Sequence, residues 1–195
     1  MIDSAALLRL LEESGALKRG HFLLSSGLHS SAYVQCALLL EDPRRARQIG
    51  EELAVLLGSL EPQSVLSPAL GGLIIGHETA AALGVPFRFT ERTEGRMGLR
   101  RGFSLERGER IVIVEDVVTT GRSSVEAASV AEGYGAELLA VGAILDRTGG
   151  RGNLSVPLVA LMQLDLPAYP AAACPLCAQG DEPEKPGSRS RPGSP

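Results

Sequence analysis

The chain has 195 residues, 44% apolar and 22% charged, with a formal net charge of −4 and an isoelectric point of about 5.5. That length supports one substantial hydrophobic core rather than two domains, and the acidic balance excludes the broad basic face that a nucleic-acid binder needs. No apolar run is long enough to span a bilayer. The Met-Ile-Asp-Ser start, soon followed by Glu12 and Glu13, lacks the basic opening of a secretory signal, which points to the cytoplasm.

Residues 5–14 are predicted as an amphipathic helix, with Leu7, Leu10 and Leu11 on one face, Asp3 or Ser4 as the cap and Gly15 as the stop. Residues 22–24 and 32–36 read as short strands around the polar loop 25–31. Asp42-Pro43 then opens a second helix, with the cap at Asp42 and proline at the first helical position. From there strand, loop and helix repeat: strands at 64–67, 87–90, 111–114 and 138–145, and helices through Leu83 and over 123–134. This alternation predicts an α/β fold with a mainly parallel sheet flanked by helices. Ligands of such sheets bind at the carboxyl ends of the strands, so the loops after Ser67, Thr90, Val114 and Leu145 should face one site.

Residues 1–177 are read as one domain. The stretch 178–195 is rich in Gly, Pro and Ser with its charges cancelling, and is expected to be disordered. Cys36, Cys174 and Cys177 do not form a disulfide framework. The Cys174–Cys177 C-x-x-C supplies only two of the four ligands of structural zinc, so the pair is read as ordinary thiols, the alternative being zinc shared across a dimer. Among the histidines, His29 lies in the polar loop, His77 is placed on a helix as a packing or capping residue, and His21 carries no signal.

The densest chemistry lies in residues 111–124. A buried strand ends at Glu115 and Asp116, and a loop of hydroxyls and glycine (Thr119, Thr120, Gly121, Ser123) leads into a helix. A helix start offers free N–H groups and the positive end of its dipole, which suits a phosphate, and Gly121 lets the backbone approach it. The two carboxylates accept only, so they suit sugar hydroxyls or a hydrated Mg²⁺ rather than the phosphate itself. No Gly-Lys-Ser/Thr is present, so this is not a P-loop.

Two carboxylates followed by Thr-Thr-Gly resemble the signature of the type I phosphoribosyltransferases. Residues 25–33, the arginine-bearing loop after Phe89, and Asp146-Arg147 narrow the resemblance to the orotate phosphoribosyltransferases, over about residues 20–149. The resemblance implies a small N-terminal hood of about residues 1–40, Mg²⁺ as cofactor, phosphoribosyl pyrophosphate and orotate as substrates, and a homodimer. It implies that Glu115 and Asp116 contact the ribose, that Val117, Val118, Thr119, Thr120, Gly121, Arg122 and Ser123 wrap the 5′-phosphate, and that Ser26, Gly27, Thr119 and Arg147 serve the base. An Arg fork pairs bidentately with a carboxylate such as that of orotate.

The loop 91–103 would be a mobile lid, with Arg92 and Arg96 acting in catalysis beside Glu115 and Asp116. The lid departs from the family: Thr93 replaces a lysine and Gly98 a histidine. Gly71 likewise stands where many members have lysine. Lys18 and Lys185 are the only lysines in the chain, so arginines must do this work.

Overall fold

The computed structural model describes residues 2–24, 26–150 and 152–186. Its N-terminal part is α1 (Ser4–Glu13), β1 (Leu17–Leu23), β2 (His29–Val34) and α2 (Cys36–Leu40); α3 (Pro43–Gly58) follows. The caps are those expected: Asp3 accepts from the Ala6 N–H and Asp42 from the Arg44 N–H. The main body is β3 (Ser64–Pro68), α4 (Gly72–Leu83), β4 (Phe87–Thr93), β5 (Arg96–Leu99), β6 (Arg110–Val118), α5 (Arg122–Tyr134) and β7 (Glu137–Asp146). The chain closes with β8 (Leu158–Gln163), β9 (Ala168–Tyr169), a 3₁₀ turn at Ala171–Ala173 and α6 (Pro175–Ala178). Among the described residues no helix is long and apolar enough to cross a membrane.

Six strands form the main sheet in the order β5-β4-β3-β6-β7-β8. All neighbours are parallel except the β4–β5 hairpin at one edge. A separate small antiparallel sheet, β1-β2-β9, holds the N-terminal strands. In the main sheet the chain runs from β3 outward to β4, then returns to place β6 on the other side of β3. The strand order therefore reverses between β3 and β6, which opens a crevice at their carboxyl ends.

Side-chain alternation along β6 sets the rest of the site. Ile111 and Ile113 pack with Ala127, Ala128 and Ala131 of α5. Val112 and Val114 face the opposite core, with Ile49, Leu53 and Leu57 of α3 and Ile75 of α4. All four β6 side chains are fully buried, each worth about 1.5–3 kcal/mol. The same period of two sends Glu115 to the α5 face and Asp116 to the α3/α4 face.

Three expectations need correction. The strand does not end at the acids: β6 runs on to Val118, pairing Val117 with Leu145 and Val118 with Asp146. Residues 91–103 are not a plain loop, because β4 and β5 form a hairpin through them. Residues 178–186 are not free of structure: the Leu23 N–H donates to the Glu184 carbonyl, and the Glu184 N–H to that of His21 (both 2.8 Å). The remainder of that stretch, 187–195, lies outside the described residues.

Candidate active site

The crevice between β3 and β6 is floored by Asp116. A Cβ added at Gly71 would come within 2.6 Å of the Asp116 Oδ1. A side chain at Gly71 would therefore have to displace the Asp116 carboxyl. Asp116 Oδ1 also accepts from the Val117 N–H at 2.9 Å. Burial pushes the Asp116 carboxyl up, against the pull of the Val117 N–H and its own backbone N–H.

Glu115, on the other face, is buried and accepts a short hydrogen bond from the Ser124 hydroxyl of α5. Its carboxyl is pushed up to about 7, chiefly by burial and further by the nearby Asp116 charge, with the Ser124 bond acting in the opposite direction. Near neutral pH it can therefore accept from a sugar hydroxyl when ionised or donate to one when protonated.

Beyond Val118 the loop is only Thr119–Gly121. Gly121, in the left-handed region with φ 75°, is the N-cap of α5 and offers no side-chain cap. A Cβ at Gly121 would also crowd Leu154 at 3.1 Å. The helix start is thus left open to an anion, with the exposed Thr119 and Thr120 and the half-buried Ser123 around it. The Arg122 guanidinium is paired with Glu126 at 3.0 Å, and its main-chain N–H donates to Thr120 Oγ1 at 3.4 Å.

Arg147 follows β7, and its N–H donates to the Val118 carbonyl at 2.8 Å, which fixes it beside the Thr119–Gly121 loop. Its Nε is buried with no hydrogen-bond partner among the described residues. Burial lowers its pKa, with Asp165 and Cys36 raising it in part, and the group remains a cation. The end of the small sheet reaches the same region. Burial and then the Asp116 charge raise the Tyr33 hydroxyl, and the Cys36 thiol feels both Asp116 and Arg147.

Glu115, Asp116, Thr119–Ser123 and Arg147 therefore converge. Ser26 and Gly27 sit exposed in the β1–β2 turn, where Ser26 Oγ accepts from the Leu28 N–H at 3.4 Å; Ser25 lies outside the described residues. Arg92 is turned onto α5, in a close ion pair with Glu126, and Arg96 is exposed on the hairpin. Sequence reasoning missed Ser124 as the partner of Glu115 and Cys36 as a neighbour of Arg147. It named Gly71 only as a missing lysine.

A mainly parallel sheet of this order, with a glycine-started anion shelf and two acids at its switch point, is the type I phosphoribosyltransferase fold. The sequence matches the phosphoribosyl transferase domain family over residues 38–159. It is 50% identical over 180 residues to orotate phosphoribosyltransferase of Thermotoga maritima, covering 92% of this chain and 96% of that protein. It is 47% identical to that of a Nitratiruptor species, covering 93% and 97%. The crystal structure of orotate phosphoribosyltransferase from Aeropyrum pernix superposes with a TM-score of 0.66 at 30% identity, over 81% of this chain and 93% of that one. The chain belongs to the orotate phosphoribosyltransferase family.

Proposed function

We propose that this chain transfers the phosphoribosyl group of 5-phosphoribosyl 1-pyrophosphate to orotate, giving orotidine 5′-monophosphate and pyrophosphate, a step of UMP biosynthesis. The observation that carries the reading is Arg147: a half-buried cation whose Nε has no partner among the described residues, tied to the 119–121 loop through Val118. Such a group fits a planar substrate bearing a carboxylate and gains nothing from an uncharged purine. The names of the relatives agree with this substrate.

In this reading the open start of α5 holds the 5′-phosphate, Asp116 and Glu115 hold the ribose hydroxyls, and Thr119 and Arg147 orient orotate. The C–O bond to pyrophosphate breaks as the orotate ring nitrogen bonds to the same anomeric carbon. Positive charge grows on the ribose and negative charge on the leaving group. The protein's work is therefore positioning and electrostatic stabilisation.

Mg²⁺ fits this donor set. It takes hard oxygens, keeps several waters, and is commonly held by one or two carboxylates together with substrate phosphates. Asp116, which among the described residues accepts from the Val117 N–H and no charged side chain, is the carboxylate available to it, and Glu115 is engaged by Ser124. When bound, Mg²⁺ would neutralise pyrophosphate charge.

Arg92 and Arg96 on the hairpin would supply the remaining cations over the pyrophosphate. We further propose a homodimer in which the hairpin serves the neighbouring subunit. The exposed Leu70 (82%) and Ile74 (45%), beside the crevice, are the apolar surface that supports it. The three free cysteines fit a reducing compartment, so we place the enzyme in the cytoplasm.

The test is direct: purified protein, Mg²⁺, phosphoribosyl pyrophosphate and orotate, followed by loss of orotate absorbance. Turnover with hypoxanthine or adenine and none with orotate would overturn the substrate. Arg147→Ala should raise the KM for orotate far more than that for phosphoribosyl pyrophosphate. Equal effects on both would remove Arg147 from the base.

A further inference from the structure

Away from the crevice, on the small sheet, His21 of β1, His29 of β2, Cys174 and Cys177 turn one ligand atom each toward a common point. The four atoms lie within 4.8 Å of one another, and His21, His29 and Cys174 are buried. We propose that these residues form a structural zinc site within one chain, of the closed Cys₂His₂ type, which fastens the C-terminal segment to the β1–β2 hairpin.

Four of the six separations lie close to those of a tetrahedral zinc centre, and all six are within 4.8 Å. A tetrahedral centre with ordinary Zn–N and Zn–S bonds has edges of roughly 3.3 Å between nitrogens, 3.6 Å between nitrogen and sulfur, and 3.8 Å between sulfurs. Here His21 Nε2 and His29 Nδ1 are 2.9 Å apart. Cys174 Sγ is 3.4 Å and Cys177 Sγ 3.8 Å from His21 Nε2, and Cys177 Sγ is 3.3 Å from His29 Nδ1. A metal would open the tightest edge by a few tenths of an ångström and draw in any edge that approaches the 4.8 Å limit of the cluster.

The tautomers point the same way. His21 Nδ1 lies 2.9 Å from the Asp181 carbonyl, which can only accept, so Nδ1 carries the hydrogen and Nε2 turns its lone pair inward. A second hydrogen bond from the outer ring nitrogen to a carbonyl is what orients a metal-binding histidine. Without a metal, a His29 Nδ1–H and two thiol hydrogens would crowd around that one nitrogen lone pair. With a cation, the thiols become thiolates and both imidazoles are neutral, so the centre carries no net charge. Two thiol protons leave for each zinc bound.

The local fold supplies a separate argument. From Ala171 to Pro186 only Cys174 is buried, and α6 is four residues long. A helix of that length has no stability of its own, and the segment brings almost no apolar surface to the core. Two main-chain bonds at Glu184 hold its far end, and a metal centre would hold the near end. Because Leu23 pairs with His29, the same centre clamps the base of the turn that carries Ser26 and Gly27. Four protein ligands leave no open position, so the role is structural rather than catalytic.

The test measures metal in the full chain, purified under reducing conditions without added metal or chelator. Elemental analysis should find one zinc per chain. Replacing zinc with Co²⁺ should give the intense visible bands of a tetrahedral thiolate site. Cys177→Ser and His29→Ala should each lose the metal, and a chelator should lower the Tm of the wild type but not of either variant. No zinc together with no cobalt spectrum would overturn the proposal, as would a Cys174–Cys177 disulfide under the same conditions or one zinc per two chains. Zinc retained by a Cys174→Ser/Cys177→Ser double variant would also overturn it. The wild-type metal content needs no variant to fold and no substrate, so its result is independent of the orotate assay.

Discussion

Replacing Glu115 with glutamine should make this protein more stable at neutral and alkaline pH, although it removes an acid from the crevice. Glu115 is 9% exposed, and its carboxyl is pushed from an ordinary 4.5 up to about 7, mainly by burial. Between those two values the native state holds a proton that the unfolded chain has released. Stability from this group is therefore fully present below about 4.5, declines as pH rises toward 7, and is flat above. At about 1.36 kcal/mol per pH unit, the gap amounts to about 3 kcal/mol. Glutamine has nearly the same shape, keeps an oxygen to accept from Ser124, and does not titrate. Urea unfolding of both proteins at about pH 4.5 and about pH 8 isolates the effect, since the other titrating groups cancel in the difference. The glutamine variant should gain about 3 kcal/mol on the wild type between the two, or a Tm advantage on the order of 5–10 °C. Ser124→Ala removes a bond that favours the ionised form and should move the wild-type inflection to higher pH. A difference curve that is flat, or that favours the wild type as pH rises, would refute the account of Glu115 as a desolvated acid.

Gly71→Ala places a Cβ 2.6 Å from Asp116 Oδ1, so the fold should survive while kcat/KM for phosphoribosyl pyrophosphate falls by roughly 10²-fold; unchanged kinetics would show that Asp116 can retreat at no cost. Arg92→Ala should lower kcat by roughly 10²-fold while changing stability by less than about 1 kcal/mol, because its pair with Glu126 is partly exposed. An unaltered kcat would reduce Arg92 to an anchor of the hairpin. Glu109→Ala should cost about 3 kcal/mol in urea unfolding, because that buried carboxylate accepts from Ser64 (2.6 Å), Arg88 (2.6 Å) and the Glu106 N–H (2.8 Å). Its burial alone would raise its pKa, but these donors hold it low, so the same network should weaken as pH falls through its titration.

The parts legible in the sequence are those governed by local rules. Asp42-Pro43 opens a helix because the cap and the fixed proline φ act within one turn, and the apolar run at residues 111–114 reads as a doubly covered strand because every side chain in it must be buried. What failed depended on neighbours. Two acids look like the end of a strand, yet β6 continues because Val117 and Val118 still find partners in Leu145 and Asp146. The lid reads as a loop because its glycines and arginines show no apolar alternation. It folds as a hairpin through Glu94 and Gly95, both at positive φ (51° and 80°), the geometry of a tight two-residue turn. An asparagine before that glycine would have made the turn legible; glutamate is a weak signal there.

The thiol and imidazole cluster shows the same limit at its extreme. A C-x-x-C supplies two ligands, and nothing near it in sequence supplies the others. His21 and His29 stand eight positions apart, a spacing that means nothing until β1 and β2 pair antiparallel and bring both rings to one end of the small sheet. Cys174 arrives 153 positions after His21, carried by a chain that has completed the main sheet and returned. Four ligands from three distant segments form a site only after folding. For the same reason, such a site should tie the segment around Cys174 to the β1–β2 hairpin.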